Sequence, residues 1–189
     1  VERNPLLLLI GLRCSGKTTL GQAVAWALGV AWADLDSRVL LALNCRSVEE
    51  AFSTHGEAGW RAAEARCLIE VLEARQVGVL SLGGGAAAGA SAAAAMRSAQ
   101  TRGHAVVALL HPGQDELVQR LFRSRGDRPR LAHNDAAEVQ ALSAARLPLY
   151  RSMAEACIDT RMPKAACVER LVRLTRCGHW AWPCRPASG

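Results

Sequence analysis

The chain carries its first recognisable chemistry at Gly11-Leu12-Arg13-Cys14-Ser15-Gly16-Lys17-Thr18, a match to G-x-x-x-x-G-K-[ST]. Glycine at the corners of such a loop permits backbone conformations closed to other residues. The loop's N–H groups and the N-terminus of the helix behind it then face a phosphate chain. Lys17 can reach the β- and γ-phosphates of a nucleotide, and Thr18 offers a hydroxyl to Mg²⁺. Cys14 reads as a small filler, with a redox role as the lesser alternative. A phosphate loop alone says only that a nucleotide binds.

Further candidates narrow the chemistry. Asp34-Leu35-Asp36 closes the second strand candidate, where alternate residues share a face and both carboxylates can point one way. Two nearby acids suit a Mg²⁺–water shell and a hydroxyl to be activated, unless Asp36 merely caps the next helix. Gly56-Glu57 opens a helix carrying Trp60, Arg61 and Glu64. Arg61 and Glu64 are helical neighbours, so Glu64 can aim the arginine fork at an anion; the alternative is a surface ion pair of little consequence. Gly83-Gly84-Gly85 follows the third strand and suggests either a close backbone approach to a ligand or a plain turn. Arg128-Pro129-Arg130 lies in a basic loop that could close on a γ-phosphate, and Arg146 supplies another cation at a helix end.

The elements that must hold these residues alternate. Strands are expected at Pro5–Ile10, Val30–Ala33, Val77–Leu82, Ala105–Leu110 and Cys157–Asp159. Helices are expected from Gly16 to Leu28, from a Ser47/Glu50 capping pair, and over Glu57–Arg75, Ser91–Gln100 and Gln114–Phe122. Three more follow at Ala136–Arg146, Leu149–Ala156 and Lys164–Arg176. Arg123–Asn134, polar and broken by Gly126 and Pro129, reads as a mobile loop. This alternation means an α/β fold with a mainly parallel sheet. One domain is expected over residues 1–176, with an irregular tail over 177–189.

Composition removes other classes. Half of the 189 residues are hydrophobic and 21% are charged, so a core forms and global disorder is excluded. The apolar run Leu6–Ile10 and the alanine-rich stretch Ala86–Met96 are too short to cross a bilayer. No basic, apolar, small-residue leader precedes the first strand, so no signal peptide is expected. The net charge of +6 is almost all arginine, Lys17 and Lys164 being the only lysines, which suits planar recognition of carboxylate or phosphate. Two Phe and one Tyr provide few stacking platforms, and no nucleic-acid-binding signature is present. Seven cysteines without a paired C-x-x-C favour a reduced, cytoplasmic compartment over disulfides, and Cys177, His179 and Cys184 lack a second ligand pair for zinc.

In order, the phosphate loop, the Asp34/Asp36 pair, Gly56-Glu57 with Arg61 and Glu64, Gly83–Gly85, Arg128-Pro129 and Arg146–Tyr150 resemble the shikimate kinases, a branch of the small P-loop kinases. The ordered set spans roughly residues 5–175. The resemblance implies a three-layer α/β/α fold with a five-stranded parallel sheet in the order 2-3-1-4-5. It also implies a helical substrate-binding region at about 34–64 and a lid at about 123–135. It implies an ATP-dependent phosphotransferase of the aromatic amino-acid pathway, acting on the 3-hydroxyl of shikimate as a monomer, with Mg²⁺. It implies that Gly11, Arg13, Cys14, Ser15, Gly16, Lys17, Thr18 and Thr19 bind ATP, with Thr18 and Asp34 serving the metal. Arg120 and Pro163 would flank adenine, and Arg128 would be the lid arginine. Asp36, Trp60, Arg61, Gly83, Gly84, Gly85 and Arg146 would hold shikimate, with Glu64 in support. Lys17, Asp36 and Arg128 would be catalytic. Leu35, Trp60 and Arg130 depart from the family's usual threonine, phenylalanine and leucine. A kinase for another polyol acid such as gluconate and a catalytically lapsed nucleotide-binding module remain the alternatives.

Overall fold

Five leucine and isoleucine residues, Leu6–Ile10, form β1, and every one of them is buried. A strand buried on both faces has no use for polar alternation, which is why it reads as a continuous apolar run. The computed structural model describes residues 4–123 and 135–177. Of the lid expected at about 123–135, residues 124–134, with Arg128, Pro129 and Arg130, lie outside the described residues, as does the tail from 178 onward.

β1 is central. It pairs in parallel with β3 (Val79–Ser81) on one side and β4 (Ala105–Leu110) on the other. β2 (Trp32–Asp34) and β5 (Ala156–Ile158) complete the sheet, whose order is β2-β3-β1-β4-β5, as the resemblance implied. β2, β3 and β5 are shorter or shifted relative to the sequence expectation. An edge ladder extends only as far as its neighbour: β2 meets β3 at Trp32↔Val79, Ala33↔Leu80 and Asp34↔Ser81 and no further.

The alternation of β1 divides the core. Leu6, Leu8 and Ile10 pack with α3 (Val48–Ala74), α4 (Ala90–Thr101) and α6 (Asp135–Met153). Leu7 and Leu9 pack with α1 (Lys17–Leu28) and α7 (Lys164–Cys177) on the other face. The remaining helices are α2 (Leu35–Ala42) and α5 (Gln114–Arg123).

Two helices depart instructively from expectation. The Ser47 cap holds, its Oγ accepting from Glu50 N at 3.1 Å, but Glu50 reaches past Ser47 to accept from Arg46 N at 2.7 Å. The helix it starts runs into the Glu57 helix, broken only by the non-helical backbone of Gly56 (φ 68°, ψ 175°). Conversely, the two helices expected on either side of Pro148 are one, α6. A proline removes one N–H bond from a helix and crowds the preceding turn. Here Tyr150 and Met153 beyond it are buried in the core, which offsets that loss.

Candidate active site

The loops that follow β1, β2 and β3 meet at the carboxyl edge of the sheet, the usual ligand edge of parallel α/β folds. Gly11, at φ 149°, turns the chain out of β1; a Cβ there would stand 2.5 Å from the Leu110 carbonyl and 2.7 Å from Ser15 Oγ. Ser15 N closes a tight turn onto Leu12 O at 3.2 Å, and Cys14 takes a left-handed φ of 61° in the middle of it. Gly16, at φ 101°, delivers the chain into α1. The N–H groups of Gly16, Lys17, Thr18 and Thr19 donate to no backbone carbonyl among the described residues. A helix start with its orphan donors left open is an anion cradle.

Lys17 Nζ donates to the carbonyls of Gly11 and Leu12, both at 2.9 Å, so the ammonium folds back over its own loop. Burial lowers its pKa to about 8, against the pull of Asp36 and Asp34. The first turn of α1 is pinned from below: Trp32 Nε1 donates to Ser81 Oγ at 3.0 Å, and Ser81 Oγ donates to Lys17 O at 3.2 Å. Ser81 and Trp32 are positions that the sequence reading did not single out.

The acid pair is arranged differently from the expectation. Asp34 ends β2 and caps α2, its Oδ1 accepting from Ser37 N at 3.2 Å. Asp36 sits in the first helical turn, so strand alternation does not relate the two carboxylates, and the capping role belongs to Asp34. Asp36 turns instead against Gly83: a Cβ on Gly83 would collide with Asp36 Oδ1 and lie 3.2 Å from Glu64 Oε1. Burial raises the Asp36 pKa to about 6, helped by Asp34 and Glu64 and opposed by Lys17 and Arg61.

Arg61 is held as expected, and by a buried partner. Its Nη1 lies 2.7 Å from Oε2 of Glu64, whose exposure of 2% excludes the surface-pair alternative, and Glu57 adds a 3.5 Å contact to Nη2. The guanidinium lies against Gly85, where a Cβ would stand 2.5 Å from Nη2. The triple glycine is therefore a close approach of side chains to backbone, not a plain turn. Gly84 O accepts from Arg146 Nη1 at 2.7 Å and also from the Tyr150 hydroxyl. A Cβ on Gly84 would lie 3.8 Å from Arg13 N, so the phosphate loop and the glycine triplet adjoin at this residue. Trp60 is 3% exposed and packs in the core, its ring centroid 5.6 Å from that of Phe52 at a tilt of 33°. Leu35 is core.

At the far end, Arg120 bonds Glu116 through Nε at 2.9 Å, and Thr160 through Nη1 to Oγ1 at 3.0 Å and Nη2 to the carbonyl at 2.7 Å. This ties α5 to the loop that Pro163 closes at the head of α7. Arg120 and Pro163 are thus brought to one place; Arg128 lies outside the described residues. No cluster of three or more His, Cys, Asp or Glu able to hold a metal occurs among the described residues. The hard-oxygen set of the Thr18 hydroxyl and the uncapped Asp34 oxygen suits Mg²⁺, which keeps several waters and takes its other ligands from phosphates. No helix among the described residues is long and apolar enough to cross a membrane.

Residues 13–175 match the family model described as shikimate kinase. The chain is 39% identical over 168 residues to the shikimate kinase of Bordetella pertussis, covering 88% of this chain and 76% of that one. It is 38% identical over 169 residues to the shikimate kinase of Mycobacterium tuberculosis, covering 88% and 90%. Its fold is similar to the shikimate kinase of Acinetobacter baumannii solved in complex with shikimate. That likeness has a TM-score of 0.78 at 27% identity, over 92% of this chain and 93% of the other.

Proposed function

This chain belongs to the shikimate kinase family, and from that premise we propose that it transfers the γ-phosphoryl group of ATP to the 3-hydroxyl of shikimate, giving shikimate 3-phosphate and ADP. The observation that carries the proposal is the meeting at Gly84 of a phosphate-binding loop with a pocket edge lined by Asp36, Arg61 and Arg146. Donor and acceptor sites share a wall, so phosphoryl transfer needs no travel.

Phosphoryl transfer asks little covalent chemistry of a protein and much positioning and charge neutralisation. The open N–H groups at residues 16–19 receive the phosphates, and Lys17 exchanges its two loop carbonyls for phosphate oxygens. Gly11, Arg13, Cys14 and Ser15 shape that cradle. Thr18 and, through water, Asp34 would hold Mg²⁺, which when bound would supply further charge neutralisation. Arg120 and Pro163 flank the adenine; Arg128, the lid arginine that the resemblance implies, lies outside the described residues.

Arg61 and Arg146 clamp the shikimate carboxylate, each charge-assisted contact contributing about 1.5–3 kcal/mol. Gly83 and Gly85 allow Asp36 and Arg61 their close approach, and Trp60 backs the wall. Asp36 accepts a hydrogen bond from the 3-hydroxyl. As the new O–P bond forms and the β–γ bridge breaks, the hydroxyl proton passes to Asp36, and ADP leaves with the bridging electrons. A carboxylate with a pKa near 6 is a stronger base than an ordinary aspartate and is still ionised at neutral pH. We further propose that the enzyme acts as a monomer in the cytoplasm, a reducing compartment that suits its seven cysteines without a paired C-x-x-C.

A coupled ADP-release assay tests this directly. ADP release with MgATP is expected to depend on shikimate and to be negligible with gluconate. Release that favours gluconate, or that ignores both, would overturn the assignment.

A further inference from the structure

Tyr150 is the sole tyrosine of the chain, is 1% exposed, and spends its hydroxyl on a backbone carbonyl. That carbonyl, Gly84 O, already accepts from Arg146 Nη1. Arg146 and Tyr150 stand four residues apart on α6, on one helical face, and both reach the same oxygen. A carbonyl has two lone pairs, so both donors are accommodated. In a trans peptide the N–H points opposite to the C=O, so fixing Gly84 O also fixes Gly85 N–H. Glycines on both sides of that peptide would otherwise let it rotate freely. Gly85 N–H donates to nothing among the described residues, and Arg61 lies against the same residue.

We infer that Tyr150 is a positioning residue for the acceptor substrate. With Arg146, its hydroxyl locks the Gly84–Gly85 peptide, so that the Gly85 N–H and the remaining N–H groups of Arg146 converge on one anionic or hydroxylated ligand. The inference rests on the shikimate reading above for the identity of that ligand. Burial holds the Tyr150 pKa above its ordinary value, against Arg146, so the phenol remains a donor through the neutral range.

Tyr150→Phe removes the hydroxyl and keeps the buried ring, and Gly84 O retains Arg146 as donor, so the variant is expected to fold. The KM for shikimate is expected to rise about 5–10-fold, the loss of one net hydrogen bond. The kcat and the KM for ATP are expected to stay within about twofold, because a uniform-binding contact to one substrate alone is weakened. A purely structural tyrosine would leave both KM values unchanged or move them together, and either result would overturn the inference. A second measurement needs no ligand: the Gly84 carbonyl carbon resonance, in wild type and Tyr150→Phe, is expected to shift upfield as one donor is lost. An unmoved resonance would also overturn it. A wild-type chain that turns over no shikimate would sink only the substrate assignment, and the Gly84 resonance would then decide the peptide lock by itself.

Discussion

The phosphate side and the acceptor side of this site are built on opposite plans. The phosphate side is contiguous: Gly11 to Thr19 supplies the turn, the open N–H groups and Lys17, and its working groups are mostly backbone. The acceptor side is assembled from α2, α3, the loop after β3 and α6, and its working groups are mainly side chains: Arg61 is held by Glu64, and Arg146 by the Gly84 carbonyl that Tyr150 shares. Backbone donors are set by local conformation and tolerate changes around them. Side chains drawn from three helices depend on buried partners such as Glu64 and Tyr150. The acceptor side is therefore expected to set specificity and to feel substitutions away from the substrate.

The largest effect is expected on the phosphate side. Lys17→Met is predicted to lower kcat about 10³-fold, the scale for losing a main electrostatic stabiliser of the transition state, while shikimate binding measured by calorimetry persists. Loss of shikimate binding as well would mean that the two sides are not independent.

Asp36→Asn is next, with kcat down about 10²-fold or more and ATP affinity little changed. Near-normal turnover would remove Asp36 from the chemistry. The same variant separates function from stability. Asp36 has a folded pKa of about 6 against 3.8 when unfolded, so its ionisation costs stability, a cost that is absent below 3.8 and grows as pH rises to 6. Asp36→Asn is thus predicted to raise the ligand-free Tm at pH 7 while lowering kcat, and to leave Tm unchanged below the unfolded pKa. A lowered Tm at pH 7 would mean that the carboxylate is stabilising.

Arg61→Ala is predicted to raise the KM for shikimate about 10–100-fold, from the loss of one charge-assisted contact, with the KM for ATP nearly constant. Steady-state kinetics with each substrate varied in turn distinguishes this from an arginine that serves the nucleotide. The smallest effect is the pH response of the intact enzyme. Activity, measured as kcat/KM for shikimate, is expected to fall as pH drops through about 6 and Asp36 takes up a proton. A flat profile down to pH 5 would place the base elsewhere.

The same contrast explains what could be read in the sequence. The phosphate loop, the Ser47 cap and the Arg61/Glu64 pair are local patterns, and the structure keeps them. The sheet order followed from the family resemblance, because no local pattern orders strands. Asp36 was misplaced on a strand because the extent of β2 is set by its pairing with β3, a long-range contact invisible in the segment itself. Tyr150 closes the Arg146–Tyr150 motif but gains no role from the sequence, because Pro148 reads as a helix break, whereas burial of Tyr150 and Met153 carries the helix through it. For Trp60 a signal was present: with Ala63, Cys67, Leu68 and Val71 it forms a three-to-four-residue apolar repeat facing the core.

The central claim is that the phosphate loop and the Asp36 pocket are two halves of one transfer site. Phosphorus NMR of wild-type protein with MgATP and shikimate tests it most directly. Appearance of a phosphate monoester on shikimate, matched one to one by ADP and formed at least about 10²-fold more slowly in Asp36→Asn, is the predicted result. Inorganic phosphate in place of the ester, or ester formation undiminished in Asp36→Asn, would contradict it.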